Sequence, residues 1–340
     1  ENGALTPEGN LTLVDDYHTS YSDGSGQQFI TLVSKSGNTF YLVIDRNAKG
    51  ENTVHFMNLV DEADLLSLME EEDADAYTAE KEAAAQAEQD RLKAEEEAKK
   101  AAEKGIEIVP VTGRPLSGLP QCVKVLPGVH YAVTSNGACV TEIASGRRIY
   151  GAPLSNQKSL QIMNLLNSHG YLFEAFADDV GYIEPALMEK YRQKFTGTPV
   201  GEYIFGSRRV VPDIRALFEA ENKCADEIFI NLPNESERNS LADLLAADET
   251  LGFCRLEKNF LEVLHRGTDK GTALEFLCSY FKIGRENAAA FGDNDNDLPL
   301  LAAAGLPVAM GNASEKVKNL AKTVTETNEN DGVAMLLAQF

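Results

Sequence analysis

A short acidic segment holds the residues best suited to chemistry in this chain. Gly292-Asp293-Asn294-Asp295-Asn296-Asp297 follows the apolar run 288–291 and precedes Leu298-Pro299-Leu300-Leu301. This order predicts a buried strand, a turn and the start of a helix, and ligands of open α/β sheets collect at the carboxyl ends of strands. Three carboxylates and two amides at one turn suit Mg²⁺, which prefers hard oxygen ligands. An Asx-rich turn that caps the helix is the alternative interpretation.

A hydroxyl and a lysine occupy two other positions that suit the binding of an anion. Thr112 and Gly113 follow the apolar run 106–111, and the backbone N–H of a glycine can approach an anion closely. Lys270 opens a predicted helix in Asp269-Lys270-Gly271-Thr272-Ala273-Leu274. A hydroxyl, an ammonium group and Mg²⁺ are together what a transferring phosphoryl group needs. Taken singly, Thr112 is an ordinary turn residue and Lys270 an ordinary exposed lysine, so the prediction depends on their combination.

The elements that must position these groups follow from the alternation of apolar runs after Gly105. Helical periodicity covers 160–166 and 241–246, and a further helix starts at Lys270. The early and late strands enclose a middle segment with helices and strands of its own, which suggests a core domain interrupted by a cap. The predicted strands are 106–111, 131–134, 227–230, 260–264, 288–291 and 306–310.

The same motifs, in this order, resemble those of the haloacid-dehalogenase-like hydrolases, specifically the Cof-type phosphatases. The residues that carry the likeness are Val111-Thr112-Gly113-Arg114-Pro115, Ser135-Asn136-Gly137-Ala138, Lys270-Gly271-Thr272, Gly292-Asp293 with Asn296-Asp297, and Gly311-Asn312-Ala313. The likeness runs from about residue 98 to 340. It implies an α/β fold, with a Rossmann-like core at 105–150 and 263–340 and an inserted α/β cap at 151–262.

The resemblance also implies an activity and a set of site residues. The activity is Mg²⁺-dependent hydrolysis of a phosphomonoester, with a small phosphorylated metabolite as substrate and a cap that closes over the site. Thr112 and Lys270 would hold the phosphate as catalytic groups. The other implied residues are Gly113, Arg114, Asn136 and Asn312 for substrate binding, and Asp293, Asn296 and Asp297 for the metal.

One motif of that family has no good copy here. The family's first motif is an apolar strand that ends in Asp-x-Asp-Gly-Thr, and its first Asp is the nucleophile. Asp73-Ala74-Asp75 has the spacing, but Met69-Glu70-Glu71-Glu72 before it is no buried strand. Asp45 follows an apolar run but lacks the second Asp and lies far upstream. We therefore expect impaired catalysis and a gap in the sheet beside Val109.

Residues 1–70 have a different pattern of apolar residues, which predicts a small β-rich domain. Apolar runs at 11–14, 29–33, 40–44 and 54–57 predict strands, and Ala63–Met69 predicts a short helix. Gly9–Asp16, Phe40–Arg46 and Gly50–Phe56 resemble a domain family of unknown function in surface proteins of mobile elements, which implies an exported, binding-type role.

A charged segment at 71–104 separates the two parts. Glu, Lys, Ala and Gln dominate it, so it predicts a solvated helical linker. Its end carries Ala98, Ala101 and Ala102 on one face, and we expect that face to dock onto the following domain.

Bulk properties exclude several classes of protein. The net charge of −22 over 340 residues argues against a nucleic-acid or anionic-membrane surface. No apolar run approaches the length of a transmembrane segment. Five scattered cysteines without a CxxC pair predict reduced thiols rather than disulfides or a zinc site. The thiols and the phosphatase-like body indicate the cytoplasm, whereas the first domain resembles exported proteins.

Three interpretations remain open. The leading hypothesis is an impaired phosphatase body fused to a mobile-element domain. The second is a non-catalytic binding or surface protein whose phosphatase body is a relic. The third is the joining of two unrelated reading frames.

Overall fold

The computed structural model describes residues 11–21, 24–34, 39–58, 71–254 and 259–339. These residues form two compact units, with the division between Glu88 and Gln89.

The first unit contains a four-stranded antiparallel sheet in the order β1-β2-β3-β4. All four predicted strands are present, and β2 and β3 form a hairpin. Asp45 lies within β3, where its Oδ1 accepts a hydrogen bond from Gln27 Nε2 at 2.6 Å. It is therefore part of an antiparallel sheet and not the end of a parallel strand. The predicted helix Ala63–Met69 lies outside the described residues. The strands are β1 Leu11–Ser20, β2 Gly26–Ser34, β3 Thr39–Arg46 and β4 Asn52–Asn58.

The charged segment forms one long helix, α1, from Glu71 to Glu103. Asp73 and Asp75 lie in this helix, so their suggestive spacing does not mark a strand end. The last turns dock as predicted, because Ala98 and Ala101 are buried within the second unit. Lys100 forms the expected i,i+4 ion pair with Glu96 at 2.8 Å on the solvent side.

The core of the second unit contains two small sheets. One is antiparallel in the order β5-β6-β7, and the other is parallel in the order β14-β15-β16. The first sheet packs against a helix at Lys270–Phe281 through Val133, Val140, Ala273 and Leu277. The strands are β5 Tyr131–Thr134, β6 Cys139–Glu142, β7 Arg147–Gly151, β14 Ala289–Gly292, β15 Leu306–Ala309 and β16 Thr323–Val324.

The prediction of a regular strand over residues 106–111 was wrong. The only strand-type pairing of this segment within the described ranges is a single parallel bridge from Val111 to Val133. Among the strands that the structure describes, β14 pairs only with β15, so neither segment has a described partner on its other side. Apart from this bridge, the run makes no strand ladder within the described residues, so its backbone groups are not held in a regular strand. In the part of the chain that the structure describes, no strand fills the expected gap beside Val109.

The middle segment forms a six-stranded sheet in the order β10-β9-β8-β11-β13-β12. A large apolar cluster that includes Leu166, Phe218 and Ile228 packs its helices against one face. The predicted cap boundary at residue 262 falls inside β13, which continues to His265. The strands are β8 Leu172–Ala177, β9 Val180–Ile183, β10 Arg208–Val210, β11 Glu227–Asn231, β12 Leu251–Cys254 and β13 Phe260–His265.

Ten further helices complete the described part of the second unit. None of the helices in the described residues is both long and apolar enough to cross a bilayer. They are α2 Gln121–Lys124, α3 Asn156–Ser168, α4 Pro185–Phe195, α5 Pro199–Ser207, α6 Ile214–Ala220, α7 Glu235–Leu245, α8 Lys270–Phe281, α9 Leu298–Ala303, α10 Glu315–Leu320 and α11 Gly332–Leu337.

Candidate functional site

Thr112 and Gly113 form a turn against the end of β5. The Thr112 N–H donates to Val133 O at 2.9 Å, and Thr112 O accepts from the Asn136 N–H at 3.1 Å. A Cβ on Gly113 would lie 3.0 Å from Asn136 Nδ2 and 3.1 Å from Asn136 Oδ1. Glycine is therefore needed at 113 so that the Asn136 amide can lie against the backbone.

The Asn136 side chain makes three hydrogen bonds within the cluster. The residue is 3% exposed and has a positive φ of 51°, a conformation that asparagine tolerates better than most residues. Its Oδ1 accepts a hydrogen bond from Asn296 Nδ2 at 3.1 Å, which joins the end of β5 to the acidic turn. Gly137 follows with a φ of 97°, and a Cβ there would lie 2.0 Å from Asp269 O. The turn thus packs directly onto the start of helix α8.

Lys270 occupies the first turn of α8, and a capping box made by Asp269 and Thr272 begins that helix. Its side chain is 6% exposed, and its Nζ donates to Asp297 Oδ1 at 2.6 Å. Gly271 lets the helix approach the acidic segment, since a Cβ there would lie 2.4 Å from Pro299 O. Lys270 is therefore no ordinary exposed lysine.

The acidic turn uses its carboxylates in different ways. Asp297 Oδ2 accepts from the backbone N–H groups of Asp293 and Asn294 at 3.0 and 3.1 Å, so this side chain shapes the turn. The Asx-turn interpretation thus describes part of the segment, whereas the metal-ligand interpretation stays a prediction. Asp295 points to Lys316, which lowers the pKa of its carboxyl group. Asp293 contacts only the amides of Asn294 and Asn312 among the described side chains, at 3.1 and 3.3 Å.

A cavity of about 230 Å³ opens beside these groups. Of the predicted site residues, Asn136, Lys270 and Asn296 line it, whereas Thr112, Gly113 and Asp293 are not among its lining residues. Its lining residues are Asn136, Phe253, Cys254, Leu264, Thr268, Asp269, Lys270, Asp295, Asn296 and Pro299.

The profile of the haloacid dehalogenase-like hydrolase family matches residues 88–337, which is most of the chain. The chain belongs to this family. Its relatives include the 5-amino-6-(5-phospho-D-ribitylamino)uracil phosphatase YitU of Bacillus subtilis. That enzyme is 31% identical over 240 residues, which cover 67% of this chain and 83% of the enzyme.

Solved structures agree with this membership of the haloacid dehalogenase-like family. A haloacid dehalogenase-like hydrolase from B. subtilis has a TM-score of 0.63 and 26% identity, and the alignment covers 73% of this chain and 93% of that one. BT1666, a phosphatase from Bacteroides thetaiotaomicron, has a TM-score of 0.60 and 27% identity over 73% and 86% of the two chains. The Rossmann-like fold of the core is therefore confirmed.

The N-terminal resemblance is confirmed too. The profile of a family called mobile element protein CD1107-like matches residues 4–112. This match extends past the expected end at residue 70 and overlaps the haloacid dehalogenase-like match over residues 88–112. The shared stretch includes the docked end of helix α1.

The Arg114 side chain packs against the middle segment, while its backbone N–H donates to Thr112 Oγ1 at 3.1 Å. Its guanidinium carbon lies 4.0 Å from the centroid of the Tyr203 ring on α5, so the side chain stacks on the middle segment. Two other arginines that suit anions, Arg148 and Arg208, pair with Asp226 and Glu174. These arginines are engaged in the fold.

The sequence patterns did not predict two buried carboxyl groups beside Asn136. Asn136 Nδ2 lies 3.1 Å from Glu227 Oε2 and 3.0 Å from Glu262 Oε2. The available signal was a glutamate inside or at the start of an apolar strand run, Phe260–His265 and Glu227–Asn231. Such a residue is buried only with a partner or a proton.

The donor set fits a hard cation that shares its coordination with a substrate. Within the described ranges, no three His, Cys, Asp or Glu side chains form a cluster able to hold a metal. The available oxygens are the Asp293 carboxylate and the Asn296 amide, whereas Asp297 is bound to Lys270. Mg²⁺ is commonly held by one or two carboxylates together with waters and phosphate oxygens.

Proposed function

We propose that the body from residue 89 onwards binds a small phosphomonoester and Mg²⁺ at the cluster of Thr112, Lys270 and Asp293, and that its turnover is impaired. The observation that carries this proposal is the Asn136–Asn296 hydrogen bond of 3.1 Å, which links the Thr112 turn to the acidic turn. The Lys270–Asp297 pair connects a third element to the same place. Membership of a hydrolase family with phosphatase relatives supports phosphate esters as the ligand class.

Each group has a distinct role in this proposal. The Thr112 hydroxyl and the Gly113 N–H donate hydrogen bonds to phosphate oxygens, and the Lys270 ammonium supplies positive charge beside them. Asp293, with Asn296 in support, holds Mg²⁺, which neutralises negative charge on the phosphate when it is bound. Asp297 keeps Lys270 and the turn in place through its three hydrogen bonds.

The expected impairment comes from the missing attacking group. A covalent mechanism needs a carboxylate free to face the phosphorus atom. Of the described carboxylates around the cavity, Asp269 caps α8 and Asp295 pairs with Lys316. Asp293 lies on the metal side of the cluster. No described strand lies between the 106–111 segment and β14, the place where a further strand end would add one.

A pair of measurements tests binding and turnover separately. The full chain is heated with Mg²⁺ alone, inorganic phosphate alone and both, while hydrolysis of a generic phosphomonoester is followed in parallel. We expect the two ligands together to raise the unfolding midpoint, through binding linkage, and hydrolysis to stay near background. Strong Mg²⁺-dependent hydrolysis that Asp73→Asn abolishes would contradict the impairment, because Asp73 would then be the missing group.

The identity of the substrate depends on the cap. YitU is named for a phosphorylated ribitylaminouracil, which is a small phosphorylated metabolite. We extend only that class to this chain. Arg114 and Tyr203 lie where the middle segment meets the Thr112 turn, so they are positioned to contact the organic part of such a ligand.

A second candidate function is a non-catalytic binding role within a mobile-element protein. The match of residues 4–112 to the CD1107-like family favours it. The same heating experiment separates the two candidates. No stabilisation by Mg²⁺ and phosphate would favour the non-catalytic protein with a relic body.

A further inference from the structure

Glu227 and Glu262 form a buried pair that the proposed chemistry does not use. Glu227 has no exposed surface and Glu262 is 3% exposed. They lie on the neighbouring strands β11 and β13 of the middle segment, while their common partner Asn136 follows β5 of the core. Two carboxyl groups of the six-stranded sheet therefore contact one amide of the core.

The register of the sheet places a third glutamate on the same face. Phe229 lies opposite Glu262 on one side and opposite Glu174 on the other. Glu227 precedes Phe229 by two residues and so shares that face. Glu174 is neutralised by Arg208 and also accepts from Tyr191 Oη at 3.1 Å. Within the described residues, no Lys or Arg forms an ion pair with Glu227 or Glu262.

The surroundings of the pair disfavour two negative charges. Burial disfavours the charged form of both groups, and the negative charge of Glu174 does so for Glu227. Arg208 favours a charge on Glu227, and Cys254 and Lys270 favour one on Glu262, but burial has the larger effect. Glu227 Oε1 is buried without a hydrogen-bond partner within the described residues. A buried carboxylate oxygen without a donor is costly, so the neutral acid is the favoured form of Glu227.

The hydrogen bonds from Asn136 bring the two carboxyl groups to one nitrogen atom. The Asn136 amide has two N–H groups, and it donates one to each glutamate. A proton between the two carboxyl groups removes the repulsion between their oxygens, which both approach the same nitrogen. Burial raises the pKa of Glu227 well above its usual value and that of Glu262 to about 7.

We propose that Glu227 and Glu262 keep a shared proton at neutral pH and act as positioning residues that fix the Asn136 amide. With both N–H groups held by the pair, Asn136 Oδ1 is directed to Asn296, and the amide plane lies against Gly113. The consequence for ligand binding depends on the proposed phosphate site. The shared proton itself does not depend on it.

The sign of the pH dependence follows from the raised pKa values. The folded chain keeps protons that the unfolded chain loses above its ordinary glutamate pKa of 4.5. This contribution to stability is fully present below that value and is lost as pH rises through about 7 and beyond. Loss of the last proton leaves two buried charges that separate, and Asn136 is then no longer held.

The test compares full-length wild type with Glu227→Gln, which keeps the shape and hydrogen bonds of a neutral acid. We expect the wild-type unfolding midpoint to fall between about pH 6 and about pH 9, and the fall to be clearly smaller in the variant. Glu262→Gln should behave in the same way. If the two glutamates only supplied structural hydrogen bonds, both variants would instead have a lower unfolding midpoint than wild type at every pH.

Glu174→Gln is the matched control, because it removes a buried carboxylate of the same face that pairs with Arg208. We expect it to destabilise the protein at all pH values without removing the pH dependence. If the unfolding midpoint of Glu227→Gln falls with pH as much as that of wild type, the shared proton is refuted.

Sulfate binding provides the second measurement, because sulfate is a tetrahedral dianion of constant charge over this pH range. We expect the ratio of variant to wild-type sulfate affinity to rise about tenfold from about pH 6 to about pH 9, as one shared proton is lost. If this affinity ratio stays constant with pH while the unfolding midpoints change as expected, the positioning role is refuted. If wild type binds no sulfate at any pH, the proposed phosphate site fails, and the midpoints still decide the shared proton.

Discussion

Lys270 Nζ lies 2.6 Å from Asp297 Oδ1, and both side chains are more than nine-tenths buried. This pair joins the first turn of α8 to the segment after β14. The carboxylate is also held by two backbone N–H groups, so the pair fixes the acidic turn as well as the lysine. Removal of either charge therefore affects structure and ligand binding together.

Lys270→Ala should lower the free energy of unfolding by about 3 kcal/mol, because it leaves the Asp297 charge buried without its cation. It should also remove the stabilisation by Mg²⁺ with phosphate. Urea titration of wild type and variant, with and without both ligands, measures the two effects.

Lys316→Ala is the control for this pair, since Lys316 binds Asp295 in the same segment but is exposed. We expect its unfolding curve and its phosphate response to stay close to wild type. Equal losses in the two variants would mean that the buried position of Lys270 has no special role.

Gly113→Ala should weaken phosphate binding because the new methyl group would lie 3.0 Å from Asn136 Nδ2. The amide must then shift away from Asn296 or the Thr112 turn must open. We expect at least about tenfold weaker sulfate binding, consistent with the loss of one charge-assisted hydrogen bond. Calorimetric titration of the full chain measures the affinity.

Gly206→Ala controls for the general effect of replacing a glycine. A Cβ at Gly206 would meet no atom within 4 Å, and the residue lies in helix α5. We expect unchanged sulfate affinity and a stability gain of about 0.5–1 kcal/mol. Wild-type affinity in Gly113→Ala would show that the contact with Asn136 is not needed.

Local sequence patterns predicted most of the elements and the chemical groups at their ends. The acidic turn after β14, the Thr112 turn and the Lys270 helix start are each carried by a few consecutive residues. Their convergence follows from strand ends that meet at one edge of an α/β core. The resemblance to a known family supplied their order.

Non-local contacts were beyond the reach of those patterns. The run 106–111 has the composition of a strand, but a strand forms only where partners exist on its sides. Glu227 and Glu262 lie 91 and 126 residues from Asn136 along the chain, so nothing local pairs them. The stacking of Arg114 on the Tyr203 ring joins residues far apart along the chain, so no local pattern predicted it.

Arg114→Ala should test whether this arginine binds phosphate or only stacks. Because its guanidinium lies over Tyr203, we expect a loss of stability of about 0.5–1 kcal/mol and less than about a twofold change in sulfate affinity. Tyr203→Phe keeps the aromatic face and should retain the Arg114 contribution. A large loss of sulfate affinity in Arg114→Ala would restore its predicted role as a ligand of the anion.

Hydrogen exchange should reveal the open side of the 106–111 segment. The N–H groups of Ile108 and Thr112 donate to Gly128 O and Val133 O at 2.8 and 2.9 Å, whereas those of Val109 and Val111 have no partner within the described residues. Because alternate residues of an extended segment face opposite sides, the unpaired groups point away from β5.

We therefore expect the Val109 and Val111 amides to exchange at least about tenfold faster than those of Ile108 and Thr112, as measured by NMR on the full chain. The comparison is internal to one segment, so it is insensitive to global stability. Similar protection of all four amides would show that another strand covers this side. Such a strand would be the first place to search for the attacking carboxylate, and its presence would argue against impaired turnover.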